Sequence, residues 1–262
     1  MSSTNPSGYL DNLFGLEGKT AVVIGGTGVL GGAICDALAG AGAYLYVVGR
    51  NEDAGQEVVD RWHGRATFFR ADSTSRFDLE GLVEYMTTHG RTCDILVNGA
   101  GVNAATPFFE ITDEEWDRIL SVNLTSVRLA CQVLGKHMIS HNTHGSVINI
   151  ASLSAITPLS RVFTYSASKA AVLNLTQNLA REWAPHNIRV NALSPGFFPA
   201  EQNRKVLTED RVASIMTHTP MARFGSPEEL AGAVILLASG AAGGFITGTN
   251  IVVDGGFTAM TI

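Results

Sequence analysis

The chain has 262 residues, 45% of them hydrophobic and 16% charged, with a formal net charge of −6. That length can bury a generous apolar core as one α/β unit, and an acidic balance without a basic block excludes nucleic acid and an anionic membrane surface as principal partners. No apolar run reaches the roughly 18 to 20 residues needed to cross a bilayer, and Cys35, Cys93 and Cys131, odd in number and widely spaced, read as reduced core residues of a cytoplasmic protein.

The polar start, residues 1–15, lacks the layout of a secretory signal and is expected to be a loose arm before a single domain over 16–262. Thr20-Ala21-Val22-Val23-Ile24 is then a β-branched apolar run, and Gly32 to Ala39 carries helical spacing, so Gly26-x-Gly28-x-x-Gly31 sits at a strand-to-helix turn. Such a turn needs residues that tolerate positive φ and let the backbone approach a ligand, while the following helix N-terminus offers unpaired N–H groups to phosphate. By itself the motif also fits a glycine turn that binds nothing.

Further strand-like runs at 43–48, 66–71, 93–98, 145–150, 188–193 and 250–253 alternate with helical patterns. Each parallel crossover needs a helix-length connection, so the alternation predicts an α/β fold: one doubly wound parallel sheet of seven strands with helices on both faces.

After the second run, Gly49-Arg50-Asn51 lacks the acidic residue that would accept ribose hydroxyls. Gly49 leaves space and Arg50 brings a guanidinium suited to a 2′-phosphate, which favours NADP and leaves NAD as the second choice. Arg50 stacked on adenine or turned to solvent is the alternative. Asp72 could accept from the adenine amino group or cap the helix beginning near Ser75.

The fourth run ends in Asn98-Gly99-Ala100-Gly101, small residues at the carboxyl end of a strand, where open α/β sheets bind ligands. A helical pattern spans Asp113 to about His141 and holds Asn123, an unfavourable residue mid-helix that is either functional or tolerated. His137, His141 and His144 have a metal-like spacing but read as exposed groups complementing a helix C-terminus, so no metal site is expected.

The fifth run, Ser146 to Ser152, delivers the Ser152 hydroxyl to the same edge. Tyr165 and Lys169 lie four apart in a helix over Thr164–Trp183 and share one face, and the ammonium is expected to draw the phenol below its reference pKa of about 10. A tuned acid and a fixed hydroxyl donor suit a carbonyl whose oxygen takes up charge during hydride transfer. An ordinary helical pair is the plain alternative. From Pro195 to about Thr208 the chain reads as irregular before a short helix over Glu209–Met216, and the stretch near 196–220 is expected to form a substrate lid.

Taken in order, the glycine turn, Asn98-Gly99-Ala100-Gly101, Asn123, Ser152 thirteen positions before Tyr165, Tyr165-x-x-x-Lys169, Pro195-Gly196 and Val253-Asp254-Gly255-Gly256 resemble the short-chain dehydrogenase/reductase family from Gly18 to about Ala259. The resemblance implies a single Rossmann-type domain, with Tyr165 as acid/base, Ser152 as carbonyl-orienting donor, Lys169 as phenolate stabiliser and ribose ligand, and Asn123 in a proton relay. It implies a cofactor site of Gly25, Thr27, Gly28, Leu30, Gly31, Arg50, Asn51, Asp72, Ser73, Asn98, Ala100, Gly101, Tyr165, Lys169, Pro195, Gly196 and Phe198. It also implies a homotetramer built through the long helices near 113–141 and 164–184. Three residues depart from the family pattern: Ile24 replaces a common Thr, Val29 follows Gly28 in a spacing closer to the extended branch, and Ala200 stands where a Thr often holds the nicotinamide carboxamide.

The passages 195–204 and 218–225 resemble the sugar-acid branch, such as gluconate and mannonate oxidoreductases. There Asn103, Ser152 and Gln202 would meet substrate, with Arg204 either clamping a carboxylate or lying solvated on the lid. The expected activity is NAD(P)-dependent interconversion of a secondary alcohol and a ketone on a small-molecule sugar acid or polyol. The competing readings are an NAD-dependent reductase of a non-sugar carbonyl, such as a 3-oxoacyl thioester, and a non-catalytic dinucleotide-binding protein.

Overall fold

The structure, a computed structural model, describes residues 6–199 and 208–260. Its strands are β1 (Thr20–Ile24), β2 (Tyr44–Gly49), β3 (Ala66–Arg70), β4 (Ile95–Asn98), β5 (Ser146–Ile150), β6 (Arg189–Pro195) and β7 (Asn250–Val253). They form one parallel sheet in the order β3-β2-β1-β4-β5-β6-β7. The helices are α1 (Pro6–Phe14), α2 (Val29–Gly40), α3 (Glu52–Arg61), α4 (Arg76–Thr88), α5 (Asp113–Leu120), α6 (Ser126–Ser140), α7 (Phe163–Trp183), α8 (Glu209–His218) and α9 (Ala231–Ala238).

The central strands are predominantly apolar because both of their faces are covered. Val22 and Ile24 pack with Val48, Leu96 and Val147 under Leu82 of α4, Leu134 of α6 and Val172 of α7. Ala21 and Val23 point the other way, to Val47, Ile95 and Ile148 under Leu38 of α2, Val58 of α3 and Val234 of α9. The chain winds outward from β1 to β3, crosses back to β4, and winds outward again to β7. The winding reverses between β1 and β4, and a crevice opens beyond the carboxyl ends of those two strands.

Three local features differ from the sequence reading. Residues 6–14 are helical rather than a loose arm, and Ser239 Oγ ties that helix down by donating to the Leu13 carbonyl at 2.6 Å. The helix expected over 113–141 is interrupted by a π turn, Ser121–Thr125, between α5 and α6. His141 and His144 are exposed, but His137 is only 5% exposed, because it shares a face of α6 with buried Leu134 and Met138. Cys35, Cys93 and Cys131 are buried free thiols.

Candidate active site

At the switch point the glycine turn brings β1 and β4 into close approach. Gly25 adopts φ +80°, and a Cβ there would stand 2.7 Å from the Ala100 nitrogen. Gly25 and Gly26 donate to the Val48 carbonyl at 2.8 and 3.2 Å, while a Cβ on Gly31 would collide with the Gly25 carbonyl. The first turn of α2 therefore starts hard against the loop. Gly28 is its N-cap and offers no side chain, so the first N–H groups of α2 stay available to an anion.

A cavity of about 440 Å³ lies beside this turn, within the range of small-molecule sites. Gly25, Thr27, Gly28, Arg50, Asp72, Ser73, Ala100 and Gly101, which the sequence assigns to a cofactor site, line it. Thr74, Val102, Arg118, Ser121 and Val122 line it too, and sequence reasoning missed them. Arg50 and Arg118 are exposed on its wall, and neither belongs to an ion pair among the described residues. The donor set fits a dinucleotide: glycines for close backbone approach, an uncapped helix N-terminus for pyrophosphate, and two guanidinium groups for further phosphate.

Several expected cofactor residues have side chains engaged within the protein. Leu30 is partly buried against the core on the α2 side, and Asn51 caps α3 by accepting from Ala54 N at 3.1 Å. The space left by Gly49 is taken by Thr27, whose Oγ1 would lie 2.7 Å from a Cβ there. Asp72 does not cap α4, since Ser75 does. Its carboxylate accepts from Thr74 N and Thr74 Oγ1 at 2.8 and 2.7 Å, and those bonds hold it below the usual carboxylate range, with Arg50 helping.

Asn98 is a correction. Its side chain is 2% exposed and turns into the core, where Nδ2 donates to Asn149 Oδ1 at 2.8 Å. Asn149 Nδ2 donates onward to Thr176 Oγ1 at 2.9 Å, so the pair ties β4 and β5 to α7. Phe198 is another. Its ring packs against Gly225 and lines a separate cavity of about 490 Å³ with Val253 and Asp254. Pro195 is the last residue of β6, and Gly196 is held against Asp254, 2.7 Å from the position of an added Cβ. Gln202, Arg204 and Ala200 lie outside the described residues. Asn103 is exposed, with Oδ1 folded back on Ala104 N at 2.8 Å.

Beyond the carboxyl end of β5, Ser152 meets Tyr165 of α7, with Lys169 one helical turn further along that helix. Ser152 is 8% exposed and is within hydrogen-bond reach of the Tyr165 phenol. Lys169 is 3% exposed, donates to the Ile150 carbonyl at 2.8 Å, and has Nζ 5.7 Å from the centre of the Tyr165 ring. One of its three donors is used there, so the others remain for ligand hydroxyls. Burial lowers its pKa to about 8.

The expected depression of the tyrosine is reversed. Burial raises the Tyr165 phenol above its usual value, and the bond from Ser152 offsets only part of this. Removal from water disfavours the charged form of each group, phenolate and ammonium alike.

Asn123 is fully buried within the π turn, which accounts for an amide in the middle of a helical stretch. Nδ2 donates to the Val102 carbonyl at 2.9 Å and to Ser168 Oγ at 3.0 Å, while Oδ1 accepts from Val102 N at 2.8 Å. Both of its N–H donors are committed, so the carboxamide fixes the loop after β4 against α7.

A family profile described as enoyl-(acyl carrier protein) reductase matches residues 27–258. Galactitol 2-dehydrogenase of Rhizobium johnstonii is 39% identical, over 94% of this chain and 97% of that protein. The NAD-dependent glycerol dehydrogenase of Listeria innocua is 34% identical, over 95% and 97%. Among solved structures, a gluconate 5-dehydrogenase from Burkholderia cenocepacia in complex with NADP and tartrate superposes with a TM-score of 0.91 at 31% identity, over 96% of this chain and all of the other.

Proposed function

The chain belongs to the short-chain dehydrogenase/reductase family, and from that premise we propose that it interconverts a secondary alcohol and a ketone of a sugar acid or polyol, working with NADP. A bound nicotinamide dinucleotide supplies or takes the hydride. The chain does the rest. Ser152 donates a hydrogen bond to the substrate oxygen, and in the direction of reduction Tyr165 passes its phenolic proton to that oxygen as it takes up charge. Lys169, an ammonium below about pH 8, opposes the negative charge left on Tyr165 and offers its free donors to ribose. Asn123 holds the Val102 backbone and Ser168 beside Lys169, where a relay to solvent would restore the proton.

The observation that carries this reading is the convergence of Ser152, Tyr165 and Lys169 on the carboxyl edge of the sheet, where the cavity lined by the glycine turn also opens. NADP is favoured over NAD because Arg50 and Arg118 stand on the cavity wall with no ion pair among the described residues, and Gly49-Arg50-Asn51 at the end of β2 offers no carboxylate. A sugar acid or polyol is supported by the galactitol and gluconate enzymes among the relatives, with Asn103, Gln202 and Arg204 as candidate contacts. A homotetramer is supported by apolar side chains left exposed around α5 and α7, Phe108 at 59%, Phe109 at 99% and Phe163 at 44%. Three unpaired buried thiols fit a reducing cytoplasm.

The test is calorimetric titration with NADPH and NADH, followed by nicotinamide absorbance against 5-keto-D-gluconate, other keto sugar acids and galactitol. Tighter binding of NADPH and turnover of a member of that panel are expected. Absent dinucleotide binding, or binding with no turnover across the panel, would overturn the reading.

A further inference from the structure

We propose that Ser154 is a positioning residue that fills the lone pairs of Ser152 Oγ and so leaves Ser152 acting only as a hydrogen-bond donor toward the reacting oxygen. The proposal rests on the reading of Ser152 as the residue that orients the substrate carbonyl.

A serine hydroxyl carries one hydrogen and two lone pairs. Two donors from a single residue reach the Ser152 oxygen: Ser154 N and Ser154 Oγ, each at 3.1 Å. With both lone pairs occupied, the Ser152 hydrogen must be directed at a third group, and the Tyr165 phenol is within its reach.

The backbone bond is an ordinary cap on the short turn Leu153–Ala155 that any residue except proline would supply at position 154. The side-chain bond is not. It requires a hydroxyl at 154, and it occupies the lone pair that the Tyr165 phenol would otherwise use as an acceptor. Ser154 is 4% exposed and Ser152 8%, so water competes poorly for either oxygen. Without Ser154 Oγ, Tyr165 can turn its proton onto Ser152 instead of the substrate. The productive direction of the hydrogen-bond chain, Ser154 to Ser152 to the reacting oxygen, is then no longer enforced.

Two readouts test this. In the free protein, Tyr165 is followed by NMR of carbon-labelled tyrosine, its signal assigned with Tyr165→Phe. Ser154→Ala is expected to move the Tyr165 titration to higher pH, as Ser152→Ala does, because the donor that favours phenolate is no longer held in place. In turnover of 5-keto-D-gluconate with NADPH, Ser154→Ala is expected to lower kcat about tenfold, short of the roughly 10²–10³ lost when a direct donor is deleted. KM and the calorimetric Kd for NADPH should stay at wild-type values, which also reports an intact fold, and Ser154→Thr should restore kcat. A Ser154→Ala protein with wild-type Tyr165 titration and wild-type kcat would overturn the proposal. Failure of the wild type to turn over any sugar acid would instead refute the substrate reading, and the tyrosine titration would still decide the role of Ser154.

Discussion

Lys169 Nζ donates to the carbonyl of Ile150 at 2.8 Å, which pins the helix carrying Tyr165 to the strand that ends two residues before Ser152. The same bond holds a buried ammonium that joins no ion pair among the described residues. Such a charge is costly, and the fall of its pKa from 10.5 to about 8 corresponds to a cost of roughly 3 kcal/mol.

The first prediction concerns that cost. Between about pH 8 and 10.5 the unfolded chain binds more protons at this lysine than the folded chain, so stability rises with pH across that window. Lys169→Met removes the titration, although it also deprives the Ile150 carbonyl of a donor. Turnover should be lost. Denaturant melts should show the variant's stability, relative to wild type, declining as pH rises from 8 to about 10.5. A difference that stays constant with pH would refute the assignment.

The second concerns Tyr165. Replacement by Phe removes the transferable proton and keeps the ring, so NADPH should bind as in wild type while kcat falls by about 10²–10⁴. The raised phenol pKa also sets a direction with pH. Ketone reduction uses the protonated phenol and should run well at neutral pH, whereas alcohol oxidation uses the phenolate and should gain in kcat/KM as the medium becomes alkaline. An oxidation rate that falls between pH 7 and 9 would contradict the acid/base role.

What the sequence made legible was what short spacing determines. The strands were visible because parallel strands covered on both faces are largely apolar runs, and Tyr165 with Lys169 was visible because four residues make about one helical turn. Arg118, Ser121 and Val122 were not, because α5 and the π turn reach the cavity only through folding. Asn98 ends a strand, and whether its amide faces ligand or core is decided by Asn149, 51 residues away. The direction of the Tyr165 shift was misjudged because spacing reveals a nearby ammonium but not the loss of water around the phenol. His137 did leave a signal: Leu134 and Met138 flank it at helical spacing, which marks the buried stripe of α6.

The third prediction concerns Arg50, which lines the dinucleotide cavity and joins no ion pair among the described residues. If its guanidinium receives a 2′-phosphate, Arg50→Ala should weaken NADPH by about 1–3 kcal/mol, the worth of a hydrogen bond to a charged group, and leave NADH nearly unaffected. Raised salt should narrow the difference, because the side chain is exposed. Equal losses for the two cofactors, read by calorimetry, would remove the phosphate contact and leave Arg50 as a residue at the adenine.

The last prediction concerns acid stability. His137 is buried in α6 with Nε2 lacking a partner among the described residues, its ring 4.2 Å from that of His141, whose Nδ1 faces the His137 carbonyl at 2.9 Å. Burial, and secondarily the neighbouring His141, lowers its pKa below 6.5. As pH falls through 6.5 the unfolded chain takes up this proton before the folded chain does, so the folded state loses stability until the pH passes the folded value. His137→Leu keeps an apolar side chain on the buried stripe and removes the titration. Thermal melts should therefore show wild type losing more stability than the variant on acidification from pH 7. Parallel profiles for the two proteins would mean that His137 accepts its proton as readily in the folded protein as in the unfolded one.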